Sequence, residues 1–245
     1  MKKVLKLFCA AGCLAAALLS VNHVNADIIV TDSAGIATNL GSGSVESGNG
    51  QLRSEDLLIT ADNGGGTFEV LDQGSNNIIT QNTTTTIDIE AGLLDVQRST
   101  FLGNDAGGNL TFNLSGGVAQ FAETVGIGRD EATTLVTISG GEFIVNGNLG
   151  LSFDVPGGAG GVRPGFGTID FTDGSTGTLT VAGADAATFE AFFDTGDITF
   201  DGGAVGTFDE FFQVSGNTLS VVPEPASLAL VGLGALAMAG RRRRA

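Results

Sequence analysis

The 245-residue chain has two cysteines, one histidine and three lysines, and it has no tryptophan or tyrosine. Both cysteines, Cys9 and Cys13, and His23 lie in the first 26 residues, as does every lysine. Residues 27–222 therefore cannot form a disulfide, a thiolate or imidazole metal site, a Ser-His-Asp or Cys-His nucleophile, or a lysine Schiff base. These absences exclude most enzyme chemistries from the central part of the chain.

Positive charge is also scarce. Residues 27–222 hold four arginines against 26 acidic residues, a net charge of −22. Phosphate binding depends on clustered lysine and arginine, so this segment is not expected to bind nucleic acid. The acidity could serve Ca²⁺, and the Gly/Asp-rich stretch Leu102–Leu110 resembles one turn of a Ca²⁺-binding β-roll. It occurs once, and turns rich in Gly, Asn and Asp need no metal. We therefore predict no cofactor, with Ca²⁺ as the alternative.

The N-terminus has the three parts of a secretory signal peptide. Lys2, Lys3 and Lys6 form a basic region, an apolar run follows over residues 7–19, and Val24-Asn25-Ala26 is a small-residue cleavage site. We predict a signal peptide over residues 1–26, with cleavage between Ala26 and Asp27. The protein is then exported.

The C-terminus has a different three-part pattern. Pro223, Glu224 and Pro225 precede an uncharged apolar run over residues 226–240, and Arg241, Arg242, Arg243 and Arg244 follow it. Prolines disfavour helix at the residues before them, so the motif is predicted to be extended and accessible. The 15-residue run would span about 22 Å as a helix, which suffices for a thin membrane span if the arginines snorkel. Four arginines are expected to stay cytoplasmic.

This order of Pro-Glu-Pro motif, hydrophobic helix and arginine cluster resembles the PEP-CTERM sorting signal of Gram-negative bacteria, over residues 222–244. The resemblance implies that an exosortase-type membrane enzyme recognises and processes the tail near Pro223, Glu224 and Pro225. It further implies transient anchorage in the inner membrane, followed by release to the cell envelope or the extracellular space.

The central part of the chain contains a repeat. The segments beginning at Thr86, Thr111 and Leu135 each alternate apolar and polar residues and then turn, at spacings of 25 and 24 residues. Five apolar columns run through three units: Ile87/Phe112/Val136, Ile89/Leu114/Ile138, Leu94/Ala119/Phe143, Val96/Phe121/Val145 and Leu102/Ile127/Leu151. A fourth unit, Ile169 to Val181, follows an insertion at Asp154–Gly167, and Leu57 to Val70 suggests earlier units.

A period of about 24 residues with two or three short strands per unit predicts an all-β fold, a right-handed parallel β-solenoid. The alternative is an antiparallel β-sandwich, whose strands also alternate and turn. The repeats also resemble the Gly/Ser/Thr-rich strand repeats of bacterial surface and autotransporter passenger proteins.

The last part of the body differs from the repeats. Two phenylalanine clusters, Phe189–Phe193 and Phe208–Phe212, lie 19 residues apart. The segment from Ala182 to Phe193 is the best candidate for a short helix. We predict a C-terminal cap that covers the open end of the solenoid, with an exposed aromatic platform as the alternative. The expected organisation is signal peptide 1–26, solenoid 27–181, cap 182–221 and sorting tail 222–245.

Three functions fit these features. We predict a non-catalytic structural or adhesive protein of the cell envelope or extracellular matrix, with extracellular polysaccharide as a candidate partner. An ice- or carbohydrate-binding module is the first alternative, although the threonine column Thr86/Thr111 is broken by Leu135 in the third unit. A polysaccharide-degrading β-helix enzyme is the second alternative, and Asp170, Asp173 and Arg163 are its best candidates.

Overall fold

The structure, a computed structural model, describes residues 28–31, 37–41, 44–47, 56–59, 66–70, 77–81, 83–156 and 162–223. The predicted cleavage site Ala26/Asp27, the motif residues Glu224 and Pro225, the helix 226–240 and the arginines 241–244 lie outside the described residues.

Most of the described chain is short β-strand, with two helices near its end. In chain order the strands are β1 (Ile28–Thr31), β2 (Ala37–Gly41), β3 (Ser44–Ser47), β4 (Asp56–Ile59), β5 (Thr67–Val70), β6 (Asn77–Gln81), β7 (Thr84–Ile89), β8 (Leu93–Val96), β9 (Thr100–Asn104), β10 (Asn109–Leu114), β11 (Val118–Phe121), β12 (Val125–Arg129), β13 (Thr133–Ile138), β14 (Glu142–Val145), β15 (Leu149–Phe153), β16 (Val155–Pro156), β17 (Val162–Arg163), β18 (Phe166–Phe171), β19 (Thr178–Val181), β20 (Ile198–Phe200), β21 (Phe212–Ser215) and β22 (Thr218–Val221). The helices are α1 (Ala186–Thr195) and α2 (Phe208–Phe211).

These strands wind into a β-solenoid of about five coils. Each regular coil contributes one strand to each of three sheets, for example β7, β8 and β9, which pair in parallel with β10, β11 and β12 of the next coil. The first sheet has the order β2-β1-β4-β7-β10-β13-β18-β20, the second β21-β22-β19-β14-β11-β8-β5-β3, and the third β15-β12-β9-β6. The predicted solenoid is confirmed, and the antiparallel sandwich is wrong.

The register of the parallel pairs is the register of the sequence repeat. Ile87 pairs with Phe112, and Phe112 pairs with Val136. The other four predicted columns are in register in the same way. Four of the five columns are fully or almost fully buried, while Leu151 ends the fifth half-buried. Because each strand alternates inward and outward residues, the first and second sheets each contribute two inward columns, which build a continuous apolar core along the axis.

Glycine is required at the corner between the first and second sheets. Gly117 and Gly141 have φ of 66° and 71°, in the left-handed region that glycine adopts without strain. A Cβ at Gly141 would lie 2.6 Å from the carbonyl oxygen of Gly117 in the preceding coil. Stacked corners thus explain why the second and third repeats end in Gly-Gly.

The insertion between the third and fourth repeats is shorter than predicted at its C-terminal end. Its strands β16 and β17 form an antiparallel pair, and β18 already begins at Phe166. The glycine-rich pattern of residues 154–167 predicts that Phe166 and Gly167 belong to the insertion. The structure instead places Gly167 against the backbone of Ile127, where a side chain would not fit.

The C-terminal part of the body covers the end of the coil. Helix α1 follows β19, at the point in the coil where a strand of the third sheet would come, and β20 returns to the first sheet beside β18. The hairpin β21–β22 then adds two antiparallel strands to the second sheet beside β19. Phe189, Phe208 and Phe212 are buried, and Phe212 contacts Phe171 of the last coil with ring centroids 5.4 Å apart. These three phenylalanines belong to the core, while Phe192, Phe193, Phe200 and Phe211 pack against it and are half-buried.

Helix α1 begins four residues later than the predicted start at Ala182. Asp185 is its N-cap, and its carboxylate accepts a hydrogen bond from the Thr188 backbone N–H at 2.9 Å. Gly196, with φ of 80°, ends it. These are the usual start and stop signals of a helix, and they override the apolar pattern at Ala182–Ala184.

Candidate functional site

The body ends where the predicted sorting motif begins. Strand β22 pairs with β21 and β19, and the Val222 N–H donates a further hydrogen bond to the Phe211 carbonyl at 2.8 Å. Pro223 has no N–H and cannot continue this ladder, so the strand stops there. Pro223 is exposed. The folded cap and the Pro-Glu-Pro motif are therefore contiguous, with no linker between them.

A groove of about 710 Å³ lies beside this exit point. We call it the cap groove. Its walls are the turn Asp173–Gly177, the Phe200–Phe211 ring pair with Glu210 and Gln213, and the end of β22 from Ser220 through Val222 to Pro223. The two rings are stacked, with centroids 4.6 Å apart and planes within 16°. Asp173 and Glu210 are exposed, so the groove has an aromatic floor and carboxylates at its rim.

The Pro-Glu-Pro region and the residues that follow match a known pattern. A protein-family description, the PEP-CTERM protein-sorting motif, matches residues 221–244. The chain carries a PEP-CTERM sorting motif. This motif implies an exported protein with a transient membrane anchor at its C-terminus and an exosortase as its processing enzyme.

The PEP-CTERM match covers the tail alone. Neither the curated proteins nor the solved structures include a match to the chain. No helix within the described residues is long and apolar enough to cross a membrane.

The outer side of the first sheet carries polar side chains in register, and we call it the ladder face. Its columns are Thr84/Asn109/Thr133/Phe166, Thr86/Thr111/Leu135/Thr168 and Asp88/Asn113/Thr137/Asp170/Thr199. Hydrogen bonds run along the third column: the Asn113 amide donates to the Asp88 carboxylate at 2.7 Å, and the Thr199 hydroxyl donates to Asp170 at 2.6 Å. The break at Leu135 is confirmed, since this side chain is exposed in the middle of the threonine column.

A second polar group occupies one corner of the solenoid, between the third and first sheets. We call it the corner cluster. Arg163 Nε lies 2.9 Å from Asp130 Oδ1, an ionic contact without the alignment of a hydrogen bond. The Asp130 carboxyl group is hydrogen-bonded to the Asp105 carboxyl group of the coil before it. The Asp130 side chain is only 5% exposed, whereas that of Arg163 is 45% exposed.

Arg129 extends the corner cluster inward. Its guanidinium donates to the Asn104 side-chain oxygen at 2.6 Å and lies 4.3 Å from the Phe101 ring centroid. The turn also holds the insertion, because the Glu131 N–H donates to the Pro164 carbonyl at 2.7 Å. Both Asp130 and Glu131 adopt left-handed backbone conformations, with φ of 58° and 67°. The cluster therefore ties two successive coils and the insertion together.

The environment of the corner cluster raises the pKa of Asp130. Burial raises the pKa of Asp130, and the hydrogen bond to Asp105 raises it further. The arginines oppose this shift and lower the pKa, Arg163 more strongly than Arg129.

The residues predicted for the enzyme alternative do not meet. Arg163 pairs with Asp130, while Asp170 accepts hydrogen bonds from the Thr199 hydroxyl and from the Gly202 N–H at 3.0 Å. Asp173 lies on the rim of the cap groove. The three side chains thus belong to three different places.

The predicted Ca²⁺ turn is part of the corner cluster. Asp105 lies in the Leu102–Leu110 stretch, and its carboxyl group contacts Asp130. Among the described residues, no three acidic, histidine or cysteine side chains are grouped so as to hold a metal ion.

The Asp105–Asp130 pair does not emerge from the apolar columns of the repeat, although the sequence contains a signal for it. Asn104 and Arg129 are register partners of adjacent coils, so the residues that follow them occupy equivalent positions 25 residues apart. Polar residues at equivalent positions of a solenoid are brought together just as apolar ones are.

Proposed function

We propose that the processed body is a non-catalytic structural or adhesive protein of the cell envelope or extracellular matrix. The observation that carries this proposal is the ladder face, which presents hydroxyl, amide and carboxylate groups in register on a rigid parallel sheet. Neighbouring strands are about 4.8 Å apart, so such a face places polar side chains at short, fixed intervals. Many weak contacts to a repetitive polymer then add up to firm attachment.

Thr111 and Thr133 offer a direct test, because both side chains are exposed on the ladder face. In the double variant Thr111→Val/Thr133→Val, two hydroxyls are lost while β-branched shape is kept. We expect less of the exported protein in the envelope and matrix fraction and more in the medium. The matched control is Thr67→Val/Thr178→Val, on the outer side of the second sheet. Equal retention of the two double variants would contradict the proposal.

The non-catalytic part of the proposal rests on the separation of Asp170, Asp173 and Arg163. We expect the purified protein to leave extracellular polysaccharides uncut. Cleavage that is reproducible and is lost in the variant Asp173→Asn would overturn it.

Ice or carbohydrate binding by the same face is the second candidate, and one observation favours it. Thr86, Thr111 and Thr168 occupy a single column that Leu135 alone interrupts between Thr111 and Thr168. If this column binds ice, Leu135→Thr completes it and raises thermal hysteresis. We expect no thermal hysteresis in either protein, and a stability within about 0.5 kcal/mol of the original because the site is on the surface.

A further inference from the structure

The cap groove lies at the point where the sorting motif starts. Within the described residues, the last hydrogen bond that holds the chain to the cap is made by Val222, and Pro223 both begins the motif and lines the groove. One extended residue spans about 3.3 Å. An enzyme that binds the extended Pro-Glu-Pro segment must therefore bring the edge of its binding site against the cap.

The groove is preformed on its turn side. The Ser175 hydroxyl donates to the Ile138 carbonyl at 2.9 Å and accepts a hydrogen bond from the Gly177 N–H at 3.1 Å. These bonds hold the Asp173–Gly177 turn to the last regular coil. A surface that is ordered before binding loses little conformational entropy on binding.

The groove is also ordered on its cap side. Glu210 accepts a hydrogen bond from the Thr207 N–H at 2.8 Å, which fixes the start of α2. Phe211 is held by its stacking on Phe200. The rim carboxylate and the aromatic floor therefore have defined positions.

The chemistry of the groove selects the kind of surface that fits it. The stacked rings and the half-buried Val221 and Val222 suit apolar groups, and Asp173 and Glu210 suit cations. An arginine or lysine side chain satisfies both, since its stem packs on apolar surface while its head pairs with a carboxylate. Such charge pairs guide encounter and orientation more than they add affinity.

We propose that the cap groove is a docking surface for the exosortase-type enzyme, taking up a basic, partly apolar segment of that enzyme beside its active site. This inference rests on the processing that the PEP-CTERM motif implies. It adds that the folded cap takes part in recognition together with the tail.

The first experiment removes the rim charges from the full-length chain, in cells that contain the processing enzyme. Asp173→Asn/Glu210→Gln keeps the shapes of the side chains and the acceptor for Thr207. The matched control, Asp194→Asn/Asp209→Asn, changes the charge equally at exposed cap positions that do not line the groove. Conversion of precursor to processed product is followed by pulse-chase and mass spectrometry. We expect the groove variant to be processed about three- to tenfold more slowly than the control, as two weak surface charge pairs would allow.

The second experiment separates the motif from the cap. Four residues, Gly-Ser-Gly-Ser, are inserted between Val222 and Pro223. The control chain carries the same insert between Ala106 and Gly107, in an exposed turn of the coils that does not line the groove. Docking predicts slower processing for the first chain. Unchanged or faster processing would overturn the proposal, because it would mean that the cap is indifferent or an obstacle.

Two further measurements separate the possible failures. Glu224→Ala tests the motif itself: if processing continues, the processing function fails, and the docking proposal fails with it. If Glu224→Ala stops processing while the groove variant matches its control, docking alone is overturned. A groove variant that is processed normally but loses polysaccharide binding would mean that the groove serves polysaccharide and not the enzyme, and this result would also overturn docking. Resistance of the body to protease, compared across all variants, confirms that each one is folded.

Discussion

The regular coils and the cap both bury phenylalanines, but they assemble them differently. In the coils, Phe112, Phe121 and Phe143 come from strands of two adjacent coils, with ring centroids 5.7 Å apart for Phe112–Phe143 and 5.0 Å for Phe121–Phe143. In the cap, Phe193 contacts Phe208, Phe211 and Phe212 across two helices and a hairpin. The coil core follows from one repeated pairing rule, whereas the cap core requires several unrelated elements to fold together.

This difference predicts that replacing a coil phenylalanine lowers the free energy of unfolding more than replacing a half-buried cap phenylalanine. Phe143→Ala removes both ring contacts from a fully buried site and should lower the free energy of unfolding by about 3–5 kcal/mol. Phe211→Ala, at a partly exposed site, should cost less. Urea unfolding of the exported, processed protein measures both values. Equal losses would mean that the cap core is as tightly packed as the coil.

A pair of glycines sharpens the comparison. Gly141 in the coil corner and Gly216 in the β21–β22 turn have φ of 71° and 64°. A Cβ at Gly216 meets nothing within 4 Å, whereas one at Gly141 meets the preceding corner. Gly216→Ala should therefore cost only the backbone strain, about 1–2 kcal/mol. Gly141→Ala should cost at least about 1 kcal/mol more, from overpacking.

Thermal or urea unfolding of the two alanine variants tests this directly. Similar costs would show that the stacked corner can relax around an added methyl group.

The two regions should also respond to pH with opposite signs. The pKa of Asp130 in the corner cluster is raised in the folded state, so its contribution to stability is fully present below the unfolded-state pKa of about 3.9 and is lost as the pH rises through the folded value. The pKa of Asp185 in the cap is lowered by its hydrogen bonds to Thr188. Its contribution is present above the unfolded-state pKa and is lost as the pH falls through the folded value.

Difference curves against the original protein isolate these two groups. In the original protein, ionisation of Asp130 lowers stability as the pH rises above about 4, and in Asp130→Asn this decrease should be absent. Asp185→Ala should be destabilising near neutral pH, and the loss should shrink in acid. Curves of the same sign for both variants would contradict the assignment.

The coils were predictable from the sequence, and the reason is physical. Each apolar column, such as Ile87/Phe112/Val136, has one member in each of three repeats and keeps one register. Parallel stacking is the arrangement that buries all three members on one another. The start of α1 was also readable, since Asp185 and Thr188 form an N-cap, but the apolar residues before it suggest an earlier start. The insertion has no second copy against which its boundaries can be aligned.

The candidate sites were less predictable than the fold. The position of the sorting motif was readable, but the cap groove is made of Asp173, Phe200, Glu210 and the end of β22, whose meeting depends on how the cap closes over the last coil. That closure is determined by packing between elements that occur once. The corner cluster was more predictable than the cap groove and less predictable than the coils, because some of its residues occupy equivalent positions of adjacent repeats.

The end of β22 has a mechanical consequence. While the tail is in the membrane, any pull on the body passes through Pro223 into a strand that is hydrogen-bonded on both sides, to β21 and β19. A force along such a strand loads its hydrogen bonds together, in shear, instead of opening them one at a time. The cap is therefore the part of the body that bears the load while the tail holds the protein at the membrane.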